Sequence, residues 1–291
     1  MIKAYLRLIR VHQWTKNLFV FAPLFFSGQF LNSNGLFESC IGFMCFCMAA
    51  SAVYVFNDII DVKSDQLHPE KKFRPIASGK ITISVAASLS VLLCASSVIT
   101  ACIVSKPFLI VLAIYLAINL AYTLGLKQVS VMDAFIVAIG FVLRVAAGGN
   151  LSGIPVSHWL YIMTFLLALF IAFAKRRDDV LIMNETGSQM RKSISGYNLE
   201  FISSAISILC AVLIVSYILY ITSPEVNARF AGKHPYISTI FVILGVFRYL
   251  QITLVENNSG YPSKLVLKDL FLKLIIAGWI LFFVIIIYFI K

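Results

Sequence analysis

The sequence predicts an all-α integral membrane protein, a bundle of about nine transmembrane helices, on three observations. Of its 291 residues 60% are hydrophobic and 13% charged, against about 45–50% and about 25% in soluble domains. Apolar runs of about 17–25 residues, long enough to cross a hydrocarbon core of roughly 30 Å as helices, recur from one end to the other. The basic residues are unevenly shared among the segments between those runs, as the positive-inside rule requires of a multi-pass protein.

Taken in order, spans are expected near 18–31, 36–56, 81–104, 107–124, 131–147, 158–174, 199–222, 235–255 and 270–290. Lipid offers the backbone no hydrogen-bond partners, so each span must satisfy its own N–H and C=O groups as a helix. The first is short, and the fifth carries Asp133 and Arg144. Eighteen Lys and Arg residues fall in the N-terminus and in segments 57–80, 125–130, 175–198 and 256–273; four, Lys106, Arg229, Lys233 and Lys291, fall in the others. That asymmetry puts the N-terminus in the cytosol, the C-terminus outside and the charged loops on the cytosolic face of a cell (inner) membrane. One domain, 1–291, is expected. The stretch "MIKAYLRLIRVHQWTKN" is basic and amphipathic and lacks a small-residue cleavage site, so a cleavable leader is not expected.

The formal charge of +11 admits an anionic membrane surface or an anionic substrate. Nucleic acid is excluded as a partner, because the cations are divided among short loops of a membrane protein. The six cysteines all lie in apolar runs without C-x-x-C pairs, and read as small buried hydrophobes. His12, His158 and His234 have no companions at metal-ligand spacing. The triplets Asn184-Glu185-Thr186 and Asn257-Asn258-Ser259 fall on the predicted cytosolic side and read as coincidence.

Chemistry concentrates in Tyr54–Gly79, "YVFNDIIDVKSDQLHPEKKFRPIASG". Continued as a helix, this stretch stacks Asn57, Asp61 and Asp65 on one face with Asp58 beside them. Like charges on one stripe repel, so a cation is expected between them. Oxygen donors without His or Cys select Mg²⁺, which is usually held by one or two carboxylates plus substrate phosphates. His68, Lys71, Lys72 and Arg74 follow at once and can grip the same anion. The pattern therefore reads as a Mg²⁺-diphosphate site; a solvated charged loop is the plainer alternative.

The pattern N-D-x-x-D-x-x-x-D followed by H-P-x-K-x-x-R-P-I-A-S-G resembles the first aspartate-rich motif of the UbiA-like intramembrane transferases. The resemblance extends over essentially the whole chain. It implies an all-helical fold of nine spans that holds a diphosphate through Mg²⁺. A finer resemblance, to the decaprenyl-phosphate phosphoribosyltransferase branch, rests on Tyr54–Gly79 and on three further stretches: "RVHQWTKNLFVFAPLFF" at 10–26, "LGLKQVSVMDAFIVAIGFVLRVAAGG" at 124–149, and "FAKRRDD" with "RKSISGY" at 173–197. That branch implies transfer of phosphoribosyl from phosphoribosyl diphosphate (PRPP) to a polyprenyl phosphate, with release of pyrophosphate.

The residues favour this branch independently. Prenyltransferases carry a second D-x-x-x-D motif where this chain reads Lys175-Arg176-Arg177-Asp178-Asp179. Adjacent carboxylates point to different helix faces and cannot chelate as an i, i+4 pair does, and three cations now stand beside them. Extra positive charge suits two anionic substrates that would otherwise repel each other. Arg144, inside a span, costs at least about 2.5–3.5 kcal/mol unpaired. It therefore calls for a buried anion, either Asp133 or a phosphate. Arg248 poses the same choice.

On this reading Asn57, Asp61 and Asp65 hold the metal, and Asp58 and Asp61 are the catalytic carboxylates, Asp58 reaching the metal through water or accepting sugar hydroxyls. Lys16, Tyr54, Lys71, Lys72 and Arg74 bind PRPP with Asn57 and Asp65; Lys127, Arg144, Lys175 and Arg176 bind the lipid phosphate. No base is needed, because a lipid phosphate is ionised at neutral pH. Plainer roles stand beside these: Lys16 and Trp14 as interfacial anchors, Tyr54 as packing, Lys127 as topology signal, and Arg191, Lys192 and Tyr197 as a surface element. The rival enzyme is an aromatic prenyltransferase using a polyprenyl diphosphate. The rival of another class is a transporter or channel, disfavoured because no internal repeat is evident and the charges cluster at one edge. A homo-oligomer is left open.

Overall fold

The computed structural model describes residues 2–30, 32–67, 70–186, 192–230, 233–257, 265 and 268–289. They are helical throughout, with turns and short connections and, among the described residues, no strand. Among the described residues eight helices are long and apolar enough to cross a membrane. The expected first span is the exception. There the chain runs as a 3-10 helix, Val11–Phe21, into the five-residue α2, Ala22–Phe26, which follows α1, Ile2–Leu8. Arg10 enters the segment in the left-handed region, at φ 53°, and Pro23 sits near the start of α2. The cysteines are free; Cys45, Cys47 and Cys210 are buried as expected, whereas Cys40 and Cys102 lie exposed on their helices and Cys94 is intermediate.

The chain divides into two compact units, residues 1–126 with 140–156, and residues 127–139 with 157–291. In the first, α3 (Ser33–Ile60) is the hub: α5 (Ile83–Val104), α6 (Lys106–Leu124) and the 3-10 segment all pack against it. Its small residues Ala49, Ala50, Ser51 and Ala52 are buried, which lets neighbours approach closely where lipid supplies no hydrophobic drive between helices. α4 (Val62–Leu67) continues α3 after a single turn residue, Asp61.

α7 (Met132–Ser152) gives residues 132–139 to the second unit and 140–152 to the first. Within the first unit Gly148 has no room for a side chain, since a Cβ there would lie 1.9 Å from the Val20 carbonyl oxygen. That close approach seats the 3-10 segment on α7 one turn from Arg144. The second unit packs α9 (Leu199–Ile221) against α8 (His158–Thr186) and α11 (Thr239–Leu254), with α10 (Pro224–Arg229) following α9. α12 (Leu270–Val284) then packs on α11 and ends in a π-helical turn.

Candidate functional site

The acidic motif sits where α3 ends. Asp61 leaves the helix at φ −86° and ψ 2°, yet its N–H still reaches Asn57 O at 3.0 Å and its own carbonyl accepts from Asp65 N–H at 2.8 Å. The sequence grouped Asn57, Asp61 and Asp65 on one stripe; the structure groups them differently. Asn57 Nδ2 donates to Asp61 Oδ2 at 3.1 Å, while Asp65 turns inward to join Asp58, both carboxylates being 3% exposed. Arg74 is the reason: its Nη1 donates to Asp58 Oδ1 at 3.0 Å and to Asp65 Oδ2 at 2.7 Å.

Arg10 completes this cluster and was singled out in the sequence only as part of the basic N-terminus. Its Nη2 donates to Asp58 Oδ1 at 2.5 Å, and its guanidinium lies 4.9 Å from the centre of the Tyr54 ring, so Tyr54 carries a cation and is more than packing. Trp14 fixes the segment in place: Nε1 donates to Ser51 Oγ at 3.1 Å, which donates to Ile9 O at 2.8 Å. A cavity of about 300 Å³ opens over the cluster, lined by Arg7, Arg10, His12 and Arg74 among others. Lys71 is half-buried and Lys72 exposed, with Lys72 Nζ 5.3 Å from the Phe73 ring centre. His68, Arg191 and Lys264, and the side chain of Lys192, lie outside the described residues.

Among the described residues Arg144 is held by neutral groups. Its Nε donates to Asn17 Oδ1 at 2.7 Å, Nη1 to Gly140 O at 2.6 Å and Nη2 to the Tyr115 hydroxyl at 3.1 Å. The rings of Phe46, Tyr115 and Phe141 surround the guanidinium at 4.9–5.6 Å. These are neutral acceptors and π faces, so the residue is satisfied as a donor yet keeps a full positive charge at 5% exposure. Lys16 lies half-buried in the same unit, without a hydrogen-bond or ion-pair partner among the described residues. Burial above all, then Arg144 and Arg10, lowers its pKa to about 8. Asn17 and Tyr115 were missed in the sequence, where an Asn and a Tyr in apolar surroundings carry no signal of their own.

In the second unit Asp133 has a partner, but it is Arg176. Asp133 is fully buried and Arg176 is 3% exposed. Asp133 Oδ2 accepts from Arg176 Nε at 2.5 Å and from Ser193 Oγ at 3.1 Å, while Oδ1 accepts from the Tyr197 hydroxyl at 2.8 Å. The phenol in turn accepts from Val131 N–H at 2.5 Å, and Val131 is held at φ 70°, an unfavourable region for a β-branched residue. A Cβ on Gly196 would lie 2.1 Å from Ser130 Oγ, so the 126–131 and 192–197 connections touch. Burial, and next the bond to Asp133, raises the Tyr197 pKa and keeps the phenol protonated.

Tyr197 is thus buried and no surface element, and Arg176, assigned from the sequence to the lipid phosphate, lies in a buried ion pair with Asp133. Arg177 is likewise engaged, donating to Thr253 O at 2.6 Å and Asn257 Oδ1 at 2.7 Å. Arg248 resolves as a structural ion pair, with Asp269 at 2.6 Å and Glu256 at 2.8 Å. The bond from Arg248 is the first cause holding the Asp269 carboxyl below its ordinary pKa. Lys127 and Lys175 are half-buried in the second unit.

Among the described residues no three acidic, histidine or cysteine side chains lie together as a ready metal site. The donors nonetheless fit Mg²⁺ chemically, because Asn57, Asp61 and Asp65 offer oxygen only and Mg²⁺ characteristically completes its shell with waters and phosphates.

The chain is 32% identical to decaprenyl-phosphate phosphoribosyltransferase of Mycolicibacterium smegmatis, over 96% of this chain and 91% of that protein. It is 31% identical to the protein of that name from Corynebacterium glutamicum, over 99% and 86%. A UbiA homolog from Archaeoglobus fulgidus, solved with GPP and Mg²⁺, superposes with a TM-score of 0.72 at 20% identity, covering 98% of this chain and 99% of that one; this likeness shows the fold. Residues 20–275 match the model of the UbiA prenyltransferase family. With an acidic helix end, a membrane-spanning all-α fold and similarity along almost its full length, the chain belongs to the UbiA prenyltransferase family.

Proposed function

We propose that the chain acts as one transferase domain, 1–291, that moves 5-phosphoribosyl from PRPP to a polyprenyl phosphate at the cytosolic face of the cell membrane, releasing pyrophosphate with Mg²⁺. The observation that carries this reading is positive charge in the first unit with no carboxylate on it among the described residues: Arg144 bound there by neutral groups, and half-buried Lys16 beside it. Burying such charge is costly unless an anion arrives. A hydroxybenzoate acceptor brings a single carboxylate, whereas here donor and acceptor, PRPP and a lipid phosphate, both bring phosphate charge. The relatives' name, with its decaprenyl phosphate and its phosphoribosyl transfer, supports the same reading.

In this scheme Asn57, Asp61 and Asp65 hold the metal. Bound there, Mg²⁺ would neutralise charge growing on the leaving diphosphate as the C1–O bond breaks. The protein's own cations do the rest. Lys16, Lys71, Lys72 and Arg74 draw in the donor phosphates, Tyr54 steadies Arg10, and Asp58 accepts from sugar hydroxyls. Arg144, in a dry setting where charge acts strongly, serves the acceptor phosphate. Lys127 and Lys175 keep their assignment to the lipid phosphate from the resemblance alone, and Arg176 becomes a support for the 192–197 connection. The acceptor oxygen is already ionised, so no side chain removes a proton.

Purified protein in lipid, given PRPP labelled in the ribose, polyprenyl phosphate and Mg²⁺, is expected to form a labelled, acid-labile lipid. Asp61→Asn is expected to abolish it while the protein stays folded. Absence of labelled lipid, with consumption of polyprenyl diphosphate and a hydroxybenzoate instead, would overturn the reading in favour of an aromatic prenyltransferase.

A further inference from the structure

The acidic cluster is already occupied from within. Arg74 spans Asp58 and Asp65, and Arg10 takes the same oxygen of Asp58. Two buried carboxylates therefore face two guanidinium groups, and this set is neutral as it stands. A bare divalent cation approaching Asp65 or Asp58 would bring its charge against Arg10 and Arg74 and would have to break charge-assisted bonds, which are about twice as strong as neutral ones. It would also find no cluster of three ligating side chains among the described residues. A metal bound to a diphosphate is different, because its phosphate oxygens offer the displaced arginines new acceptors. Arg74 is placed for such a transfer: its side chain is 26% exposed and lines the cavity over the cluster.

We infer that Arg74 is an exchangeable counter-ion that holds Asp58 and Asp65 in the free enzyme and yields Asp65 only to a divalent metal arriving with the donor's diphosphate, whose phosphates Arg74 then binds, leaving Asp58 to the donor's hydroxyls. Metal and donor accordingly enter together, and the free enzyme resists loading by metal alone. The inference rests on the proposed function for the identity of the donor, and on the Arg74 contacts for everything else.

The test is Mn²⁺ uptake by the full chain in lipid nanodiscs, followed by the electron paramagnetic resonance signal of the free ion. Mn²⁺–ligand complexes are measured without protein and subtracted. Wild type is expected to take up Mn²⁺ weakly alone and more tightly with PRPP or inorganic pyrophosphate. Arg74→Gln releases Asp65 and leaves Asp58 to Arg10 alone, and should tighten donor-free Mn²⁺ binding on the order of tenfold, the scale of one charge-assisted hydrogen bond surrendered per ion bound, while weakening PRPP binding. Arg74→Lys keeps the charge on a shorter, more strongly hydrated head group, so it should fall between the two; it also guards against a glutamine variant that does not fold. If neither variant binds Mn²⁺ alone more tightly than wild type, the exchange is wrong. If the variants behave as expected but polyprenyl diphosphate promotes uptake and PRPP does not, the exchange holds and the donor assignment falls.

Discussion

Asp133→Asn separates the two roles open to Arg176. In the native protein Asp133 is wholly buried, accepts three hydrogen bonds and neutralises a guanidinium that is 3% exposed. Removing one partner of a buried ion pair costs about 3–5 kcal/mol, because the other charge is left uncompensated. Here Asp179 remains 3.6 Å from Arg176 Nη1, a long contact that recovers part of the loss, so the low end applies: about 3 kcal/mol. Apolar residues in place of both partners remove the orphan charge but leave the Ser193 and Tyr197 hydroxyls without this acceptor, so Asp133→Leu with Arg176→Met should unfold within about 2 kcal/mol of wild type. Unfolding by sodium dodecyl sulfate in mixed micelles, followed by circular dichroism, reads these differences. The reasoning fails if Asp133→Asn unfolds within 1 kcal/mol of wild type. It fails differently if the double variant is stable yet transfers nothing, which would return Arg176 to the lipid phosphate.

Lys16 predicts a pH dependence. Its pKa is lowered to about 8 from an unfolded value near 10.4, so the unfolded chain binds more protons between those limits, and stability rises with pH across that window. Activity should move oppositely: kcat/KM for PRPP falls above pH 8 as the ammonium is lost, and Lys16→Arg, which stays charged, flattens that limb. Arg144→Met should lower kcat/KM about 10- to 100-fold, the scale of one lost hydrogen bond to a charged group. Arg144→Lys should recover little, since an ammonium cannot present the fork that reaches Asn17, Gly140 and Tyr115 at once.

Much of the molecule was legible because its causes are local. Spans from 36–56 onward follow from hydropathy, since a backbone in lipid has no choice but to close its own hydrogen bonds. The motif N-D-x-x-D-x-x-x-D was legible for the same reason, its members lying within three turns of helix. The first span misled because apolar content alone does not report a 3-10 segment entered through a left-handed Arg10.

What the sequence by itself determined is thus the class of protein, its all-helical spans and the place of its acidic chemistry. The tertiary structure decided which charge answers which. Asp133 meets Arg176 across 43 positions, and Arg144 meets Asn17 across 127. Coulomb forces and hydrogen bonds act through space, and in a low-dielectric interior they select the nearest suitable group regardless of its place along the chain. Arg74 turned inward between Asp58 and Asp65 follows from the same physics.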